Sequence, residues 1–176
     1  MIFMSARRRS ESEAADAIYA SAVAASRRPG LYAGLGVPDT LDGRFEMLAL
    51  SLFPPIERLM HDPGDDPDLA RRVAETFVTD MDAAYREMGI GDTIVPKKMK
   101  LLYRSFAGRL SAYRTARGEG GDMLAAAIAR NVFLDEAPAG SAPALARQAI
   151  AACAAFRAAP IDLLRGGKVV YPPLGV

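Results

Sequence analysis

The chain has 176 residues and a mass of 18.8 kDa, which is the size of one domain rather than two. Hydrophobic residues make up 51% and charged residues 24% of the sequence, which excludes a mostly disordered chain. The net charge of +1 excludes a globally basic nucleic-acid binder, so we expect no DNA partner. With one cysteine and one histidine, the chain cannot form a disulfide framework, a cysteine zinc site or a multi-histidine metal centre.

No segment reaches the roughly 18 consecutive apolar residues that a membrane span requires. Residues 7–9 are arginines and alanine-rich sequence follows, as in a signal peptide, but acidic residues stand where the apolar stretch of such a peptide would begin. Together with the cysteine usage, this predicts a protein of the reducing cytoplasm. That location is compatible with peripheral contact at the cytoplasmic face of the inner membrane.

Alanine accounts for 33 residues and β-branched residues are few, which favours helix over strand. Apolar stripes and the residues that bound them predict an all-α, single-domain bundle of about six helices. We expect residues 1–10 to form a flexible basic N-terminus and residues 11–165 to form the helical domain. Two glycines and two prolines predict an extended tail over residues 166–176.

The first helix is predicted to begin at Ser10, which is spaced from Glu13 as in a capping box. Pro29-Gly30 should end this helix. Residues 31–38, which contain two glycines, are predicted to form a loop.

Asp39 or Thr40 is predicted to cap the second helix. Pro54-Pro55 predicts a kink or a break in that helix, because neither proline can donate to the hydrogen-bond ladder. The third helix is predicted to open with Pro67 at its first position. It carries the clearest apolar stripe of the chain. The stripe consists of Leu69, Val73, Phe77, Met81, Ala84, Tyr85 and Met88.

Three further helices follow in the predicted order. The fourth should begin at Pro96 and end near Gly118, the fifth should span residues 122–133, and the sixth should span residues 143–159. A short turn is predicted at residues 161–165.

Charge is distributed unevenly over the third and fourth helices. Residues 57–92 contain ten acidic and four basic residues, whereas residues 97–117 contain seven basic and no acidic residues. One interpretation is that the two helices lie antiparallel and their charges compensate. The other is that a basic patch binds an anionic surface, such as RNA or lipid headgroups. The patch consists of Lys97, Lys98, Lys100 and Arg104.

Candidates for catalytic chemistry are few. His61 lies at a predicted helix end, which is typical of a surface residue, and Cys153 lies in an alanine-rich helix, which is typical of a small core residue. No second histidine or cysteine completes a nucleophile–base pair. The glycine pairs lack the lysine of a phosphate-binding loop. The sequence therefore predicts neither an enzyme active site nor a bound metal or cofactor.

Two longer segments carry a family resemblance. The first, residues 35–45, reads LGVPDTLDGRF, and the second, residues 80–92, reads DMDAAYREMGIGD and is followed by VPKK at residues 95–98. With Gly108-Arg109 and Ala112-Tyr113, these segments resemble the ubiquinol–cytochrome c chaperone family.

The resemblance extends over about residues 15–135 and implies an interaction protein, not an enzyme, with no cofactor of its own. The family's mitochondrial members are assembly factors for cytochrome b of the respiratory bc1 complex. They act with a small partner subunit near the exit of the ribosome. By the same resemblance, residues 11–165 form a chaperone-type domain that holds a hydrophobic membrane-protein client. The arginine- and alanine-rich composition suits a bacterial member.

The motif residues also have structural explanations. Gly43 permits a close backbone approach, and Arg44 can grip a carboxylate. A network that joins Arg44 and Arg109 to acidic residues of the third helix would fix three helices together, which is an alternative to client contact. The better candidate for partner contact is the turn before Lys97. The candidate interaction residues are Asp39, Thr40, Asp42, Gly43, Arg44, Asp80, Asp82, Arg86, Glu87, Gly89, Gly91, Asp92, Lys97, Lys98, Lys100, Arg104 and Arg109.

Three hypotheses remain open from the sequence. The first is a chaperone that holds newly made cytochrome b or a similar client. The second is an adaptor whose basic fourth helix binds the ribosome, RNA or a membrane surface. The third is a carrier of a small ligand such as a quinone or haem, which requires a closed pocket with converging polar groups.

Overall fold

The computed structural model describes the backbone of residues 2–173 and the side chains of residues 10–173. This part of the chain contains seven α-helices and no strand, which confirms the predicted all-α, single-domain fold. A single π-helical turn, Gly30–Gly34, lies where a loop was predicted. The helices are α1 (Ile2–Ser26), α2 (Leu41–His61), α3 (Pro67–Glu87), α4 (Val95–Glu119), α5 (Gly121–Val132), α6 (Ser141–Ala158) and α7 (Ile161–Arg165).

The second helix is the centre of the bundle, because α2 contacts α1, α3, α4, α5 and α6. Its buried residues contribute to two apolar clusters. The first cluster lies against α5 and α6 and includes Phe53, Tyr113 and Ile128. The second lies against α1 and α3 and includes Phe77, which stacks on Phe106 of α4 with ring centroids 4.4 Å apart. Both clusters therefore depend on α2 and α4.

Two of the predicted helix starts are confirmed in atomic detail. The hydroxyl oxygen of Thr40 accepts a hydrogen bond from the Gly43 amide at 3.1 Å, and the carboxylate of Asp66 accepts one from the Leu69 amide at 3.2 Å. The predicted start of the first helix is wrong, because α1 already begins at Ile2 and Ser10 lies inside it. Alanine and arginine before Ser10 are strong helix formers, so the helix has no reason to start at the capping-box spacing. The predicted flexibility of residues 1–10 stays a prediction.

Of the kink or break predicted at Pro54-Pro55, the break is wrong, since α2 continues through both prolines, and the kink stays a prediction. Pro55 cannot donate to the carbonyl of Ser51, four residues earlier. That carbonyl oxygen instead accepts a hydrogen bond from the Tyr171 hydroxyl at 2.7 Å. A residue of the tail therefore supplies a hydrogen bond that the proline withdraws from the helix.

Residues 168–173 have no regular secondary structure and pack on the bundle. The ring of Tyr171 meets Phe156 edge-on at 5.1 Å, and the guanidinium of Arg28 donates to the carbonyl of Pro172 at 2.6 Å. The last part of the predicted tail, residues 174–176, lies outside the described residues. Among residues 2–173, no helix combines the length and the apolar character that a bilayer-spanning segment requires.

Candidate functional site

A groove of about 400 Å³ lies between the ends of four helices. The second half of α1 and the beginning of α2 form one side, and the end of α3 and the beginning of α4 form the other. Its apolar lining consists of Tyr19, Val23, Leu41, Phe45, Leu48, Met81, Ala84, Tyr85, Met88, Leu101 and Leu102. We call this the apolar groove.

The groove exists because the apolar stripe of α3 extends beyond the bundle core. Val73 and Phe77 are fully buried, Met81 and Tyr85 are half-buried, and Met88 is 53% exposed. The spacing of the stripe is the same throughout, but the body of the molecule covers only its first half. The second half therefore presents apolar surface to solvent.

The rim of the groove is open on both sides. Leu41, at the start of α2, and Leu101, on α4, are each 66% exposed. Exposed side chains of this size on both sides show that the groove is open to solvent rather than a sealed chamber. A closed pocket, which the small-ligand hypothesis requires, is not what these residues form.

The first family motif shapes the rim near α2. A Cβ atom at Gly43 would lie 2.0 Å from the carbonyl oxygen of Pro38, so only glycine permits this approach. The close contact and the Thr40 cap together fix the entry into α2, which places Leu41 and Phe45 at the groove.

The second family motif shapes the turn between α3 and α4. Gly89 has a φ of +76°, which glycine adopts readily, and the Ile90 amide donates to the carbonyl of Tyr85 at 3.1 Å. The ammonium of Lys98 lies 5.7 Å from the centroid of the Tyr85 ring, a distance typical of a cation–π contact. The turn therefore reverses the chain direction between α3 and α4 and places Lys98 over Tyr85 in the wall of the groove.

Two charged residues at the groove rim, Arg44 and Asp80, have separate polar partners. Arg44 donates to Asp39 at 2.7 Å, and this hydrogen bond lowers the pKa of the Asp39 carboxyl. The hydroxyl of Tyr19 donates to Asp80 at 2.6 Å; burial raises the pKa of Tyr19, and the bond to Asp80 raises it further.

Asp82 and Arg86 form an ion pair one turn apart on α3, with the guanidinium nitrogen 2.6 Å from the carboxylate. Arg86 also pairs with Asp92 in the turn. The predicted network through Arg44 and Arg109 is wrong for the described residues, because Arg44 pairs with Asp39 and Arg109 reaches α2 instead. Arg86 therefore ties the end of α3 to the turn that follows it.

Two buried glutamates of α2 form ion pairs with arginines in the second half of α4. Arg109 forms a two-pronged ion pair with Glu46, with both nitrogen–oxygen distances 2.8 Å. Arg114 and Arg117 pair with Glu57 at 2.9 and 3.0 Å. Burial raises the pKa of Glu46 although Arg109 acts against the shift. Sequence reasoning missed both glutamates; their signal was an acidic residue inside an otherwise apolar stretch.

These pairs also answer the question of charge compensation. The partners of the α4 arginines lie on α2, and among residues 10–173 no ion pair joins α4 to α3. In the same part of the chain, Lys97, Lys100 and Arg104 are exposed and form no ion pair. The antiparallel placement of α3 and α4 therefore leaves the basic patch unneutralised by direct contacts.

The remaining candidate residues are spread over this end of the molecule. Asp42 is exposed in the first turn of α2 and lines the groove, and Glu87 and Gly91 are exposed at the hairpin turn. Neither His61 nor Cys153 lines the groove. His61 is exposed at the end of α2, and Cys153 is buried, which raises its thiol pKa to about 12 and confirms the core placement.

Comparison with known proteins identifies the family. The family model described as ubiquinol–cytochrome C chaperone matches residues 33–171. The chain belongs to the ubiquinol–cytochrome c chaperone family. The match confirms the resemblance of the two motifs, and it extends further towards the C-terminus than those motifs do.

A solved structure supports the assignment to the chaperone family over the whole chain. The crystal structure of the Cbp3 homolog from Brucella abortus superposes with a TM-score of 0.84 and is 35% identical in sequence. The alignment covers 99% of this chain and 98% of that one. A search of curated proteins gives no match.

Proposed function

We propose that this family member is an assembly factor that holds newly made cytochrome b, or a similar membrane-protein client, during biogenesis of the bc1 complex. The observation that carries this proposal is the apolar groove, which lies between the two family motifs and is open to solvent. Exposed apolar surface that is contiguous and bounded by polar residues marks an interaction site. Membership of a chaperone family supports the same role.

The chemistry of the groove suits a hydrophobic polypeptide. Met81 and Met88 have flexible thioether side chains that adapt to apolar partners of different shapes. Tyr85 offers a flat ring, and Leu41 and Leu101 offer branched aliphatic surface on opposite sides. At the rim, Arg44 already pairs with Asp39 and Asp80 already accepts from Tyr19, so these two groups do not demand a counter-charge from the client.

The groove can be tested by making it polar without disturbing the core. Leu41→Glu with Ala84→Gln places two polar side chains in the groove, and glutamate is favourable in the first turn of a helix. A matched control, Leu163→Glu with Ala154→Gln, makes the same changes at exposed positions outside the groove. Each tagged protein replaces the native one in cells, and pulse-labelled cytochrome b that co-purifies with it is measured together with assembled bc1 complex.

We expect the groove variant to retain less than about one-tenth of the co-purifying cytochrome b, since a charge in an apolar contact is costly to desolvate. The control should behave as the native protein does. Equal capture by both variants would exclude the groove as the client site. Normal bc1 complex in cells that lack the protein altogether would exclude the proposed function itself.

The adaptor hypothesis rests on a different observation, the exposed cations of α4, and is compatible with client binding. A small partner subunit and the ribosome, which the family resemblance implies, are proposed as further partners. Both partners can be tested by affinity purification of the tagged native chain. Proteins that co-purify with it are identified and quantified, and those that also co-purify with the tag alone are discarded.

A further inference from the structure

The outward face of α4 carries a compact stripe of cations. At about 100° per residue, Lys97, Lys100 and Arg104 fall within a sector of about 60°, opposite the buried Phe106 and Tyr113. None of the three forms an ion pair with the described residues. No acidic residue occurs in the sequence between Asp92 and Glu119. We call Lys97, Lys100 and Arg104 the basic stripe.

Exposed apolar side chains border the basic stripe. Leu101 lies on its groove side and is 66% exposed, Tyr103 lies on the other side and is 53% exposed, and Ile94 is 51% exposed at the start of the helix. Cations beside exposed aliphatic and aromatic side chains are the composition that binds the interface of a bilayer. The ammonium and guanidinium groups meet lipid phosphates while the apolar tips enter the headgroup region.

The same composition is less suited to RNA. A surface for single-stranded RNA combines cations with aromatic rings that stack on bases, and Tyr103 is the one exposed ring beside the stripe in the described structure. The aliphatic side chains of Ile94 and Leu101 can neither pair with phosphates nor stack on bases, so RNA binding would not explain why they are exposed. An anionic bilayer uses all of these side chains, so the lipid surface is the favoured partner.

We propose that the basic stripe and its apolar borders dock this protein on an anionic lipid bilayer surface. The inference goes beyond client binding, because it concerns a different face of α4. Leu101 belongs to both the border of the stripe and the lining of the groove. Docking by this face therefore places the mouth of the groove next to the bilayer, where a membrane-protein client is found.

Vesicle flotation with the full chain and no client tests the proposal. The vesicles contain phosphatidylcholine alone or with about 30% phosphatidylglycerol, an anionic lipid of the kind that attracts basic segments. The test variant is Lys97→Gln, Lys100→Gln, Arg104→Gln. The matched control is Arg130→Gln, Arg147→Gln, Lys168→Gln, which removes three exposed and unpaired cations elsewhere in the described structure.

We expect the native protein to bind only the vesicles with phosphatidylglycerol, with affinity that falls as salt is raised. Each cation near an anionic surface contributes roughly a fivefold gain in affinity, so the test variant should bind about 100-fold more weakly and the control about as well as the native chain. A single Ile94→Ser variant should weaken vesicle binding and leave any RNA retention unchanged.

Other results would overturn the proposal. Native protein that ignores the lipid charge, or a control that loses as much binding as the test variant, excludes the stripe as a docking surface. Retention of single-stranded RNA through the stripe without vesicle binding assigns the surface to RNA instead. Because no client is present, failure here leaves the proposed client-holding function untouched.

Discussion

Arginine meets carboxylate in two regions of the molecule, and the regions differ in how much water surrounds the pair. In the bundle body, Glu46 is 8% exposed and its partner Arg109 is 31% exposed. In the α3–α4 hairpin, Asp82 is 37% and Arg86 is 48% exposed. The body pair joins two different helices, whereas the hairpin pair lies along one helix at the i, i+4 spacing.

The difference shows which part of α4 is tied to α2 by buried charge. A carboxylate that is buried with one arginine becomes an uncompensated charge if that arginine is lost, whereas an exposed pair is worth little because water replaces either partner. The second half of α4 is therefore anchored to α2. Its first half, which carries the groove wall and the basic stripe, has no such ion pair in the described structure and is held by apolar packing through Val95 and Phe106.

The largest expected effect comes from breaking the buried pair. Arg109→Met should lower the free energy of unfolding by about 2–3 kcal/mol, since it leaves Glu46 buried without its counter-charge. Urea unfolding followed by circular dichroism measures the change. The double variant Arg109→Met with Glu46→Leu should recover most of the loss. A loss below about 0.5 kcal/mol for Arg109→Met would remove the distinction between the two regions.

The close approach at Gly43 should give the next largest effect. Gly43→Ala forces a Cβ atom against the carbonyl of Pro38, and such overpacking costs about 1–3 kcal/mol. Gly108→Ala on α4 is the matched control, because nothing lies within 4 Å of the added atom and alanine favours the helix by up to about 1 kcal/mol. Thermal unfolding of both variants should shift the midpoint in opposite directions.

A third prediction concerns the tail and the prolines of α2. Tyr171→Phe should cost about 1 kcal/mol of stability, because it removes the donor to the Ser51 carbonyl. In a Pro55→Ala background the residue 55 amide can donate to that carbonyl, so the same change should cost less than half as much. A double-mutant cycle measures the coupling. Equal costs in both backgrounds would show that the hydroxyl does not replace the missing ladder bond.

The smallest effect is expected in the hairpin. Arg86→Ala removes exposed ion pairs with Asp82 and Asp92, and pairs of this kind contribute little because water replaces either partner. Chemical unfolding should give a midpoint close to that of the native chain. A loss as large as that of Arg109→Met would mean that the hairpin is as rigid as the body.

Much of the fold follows from local patterns in the sequence. The stripe of α3, the cap at Thr40 and the proline at the start of α3 each specify structure through neighbours within a few residues. The position at which the α3 stripe changes from buried to exposed cannot be predicted from the sequence, because Val73 and Met88 belong to the same apolar periodicity. Only the packing of α1 and α2 against α3 decides which of them is covered.

The missed features depend on partners that are far apart in sequence. Pro55 predicts a break when its own helix is considered alone, and Tyr171 is 120 residues away from the carbonyl it reaches. The buried pair of Glu46 and Arg109 spans 63 residues. The family motifs border the groove, but neither the groove nor the pairing of its charged residues follows from the sequence without the three-dimensional arrangement.

The bond between Tyr171 and Ser51 also bears on when the protein matures. A ribosome polymerises the chain from its amino end, so the Ser51 carbonyl emerges long before the hydroxyl that it accepts from. Until 120 further residues have been added, the middle of α2 lacks this donor. The central helix therefore gains this contact later than it gains its own backbone hydrogen bonds.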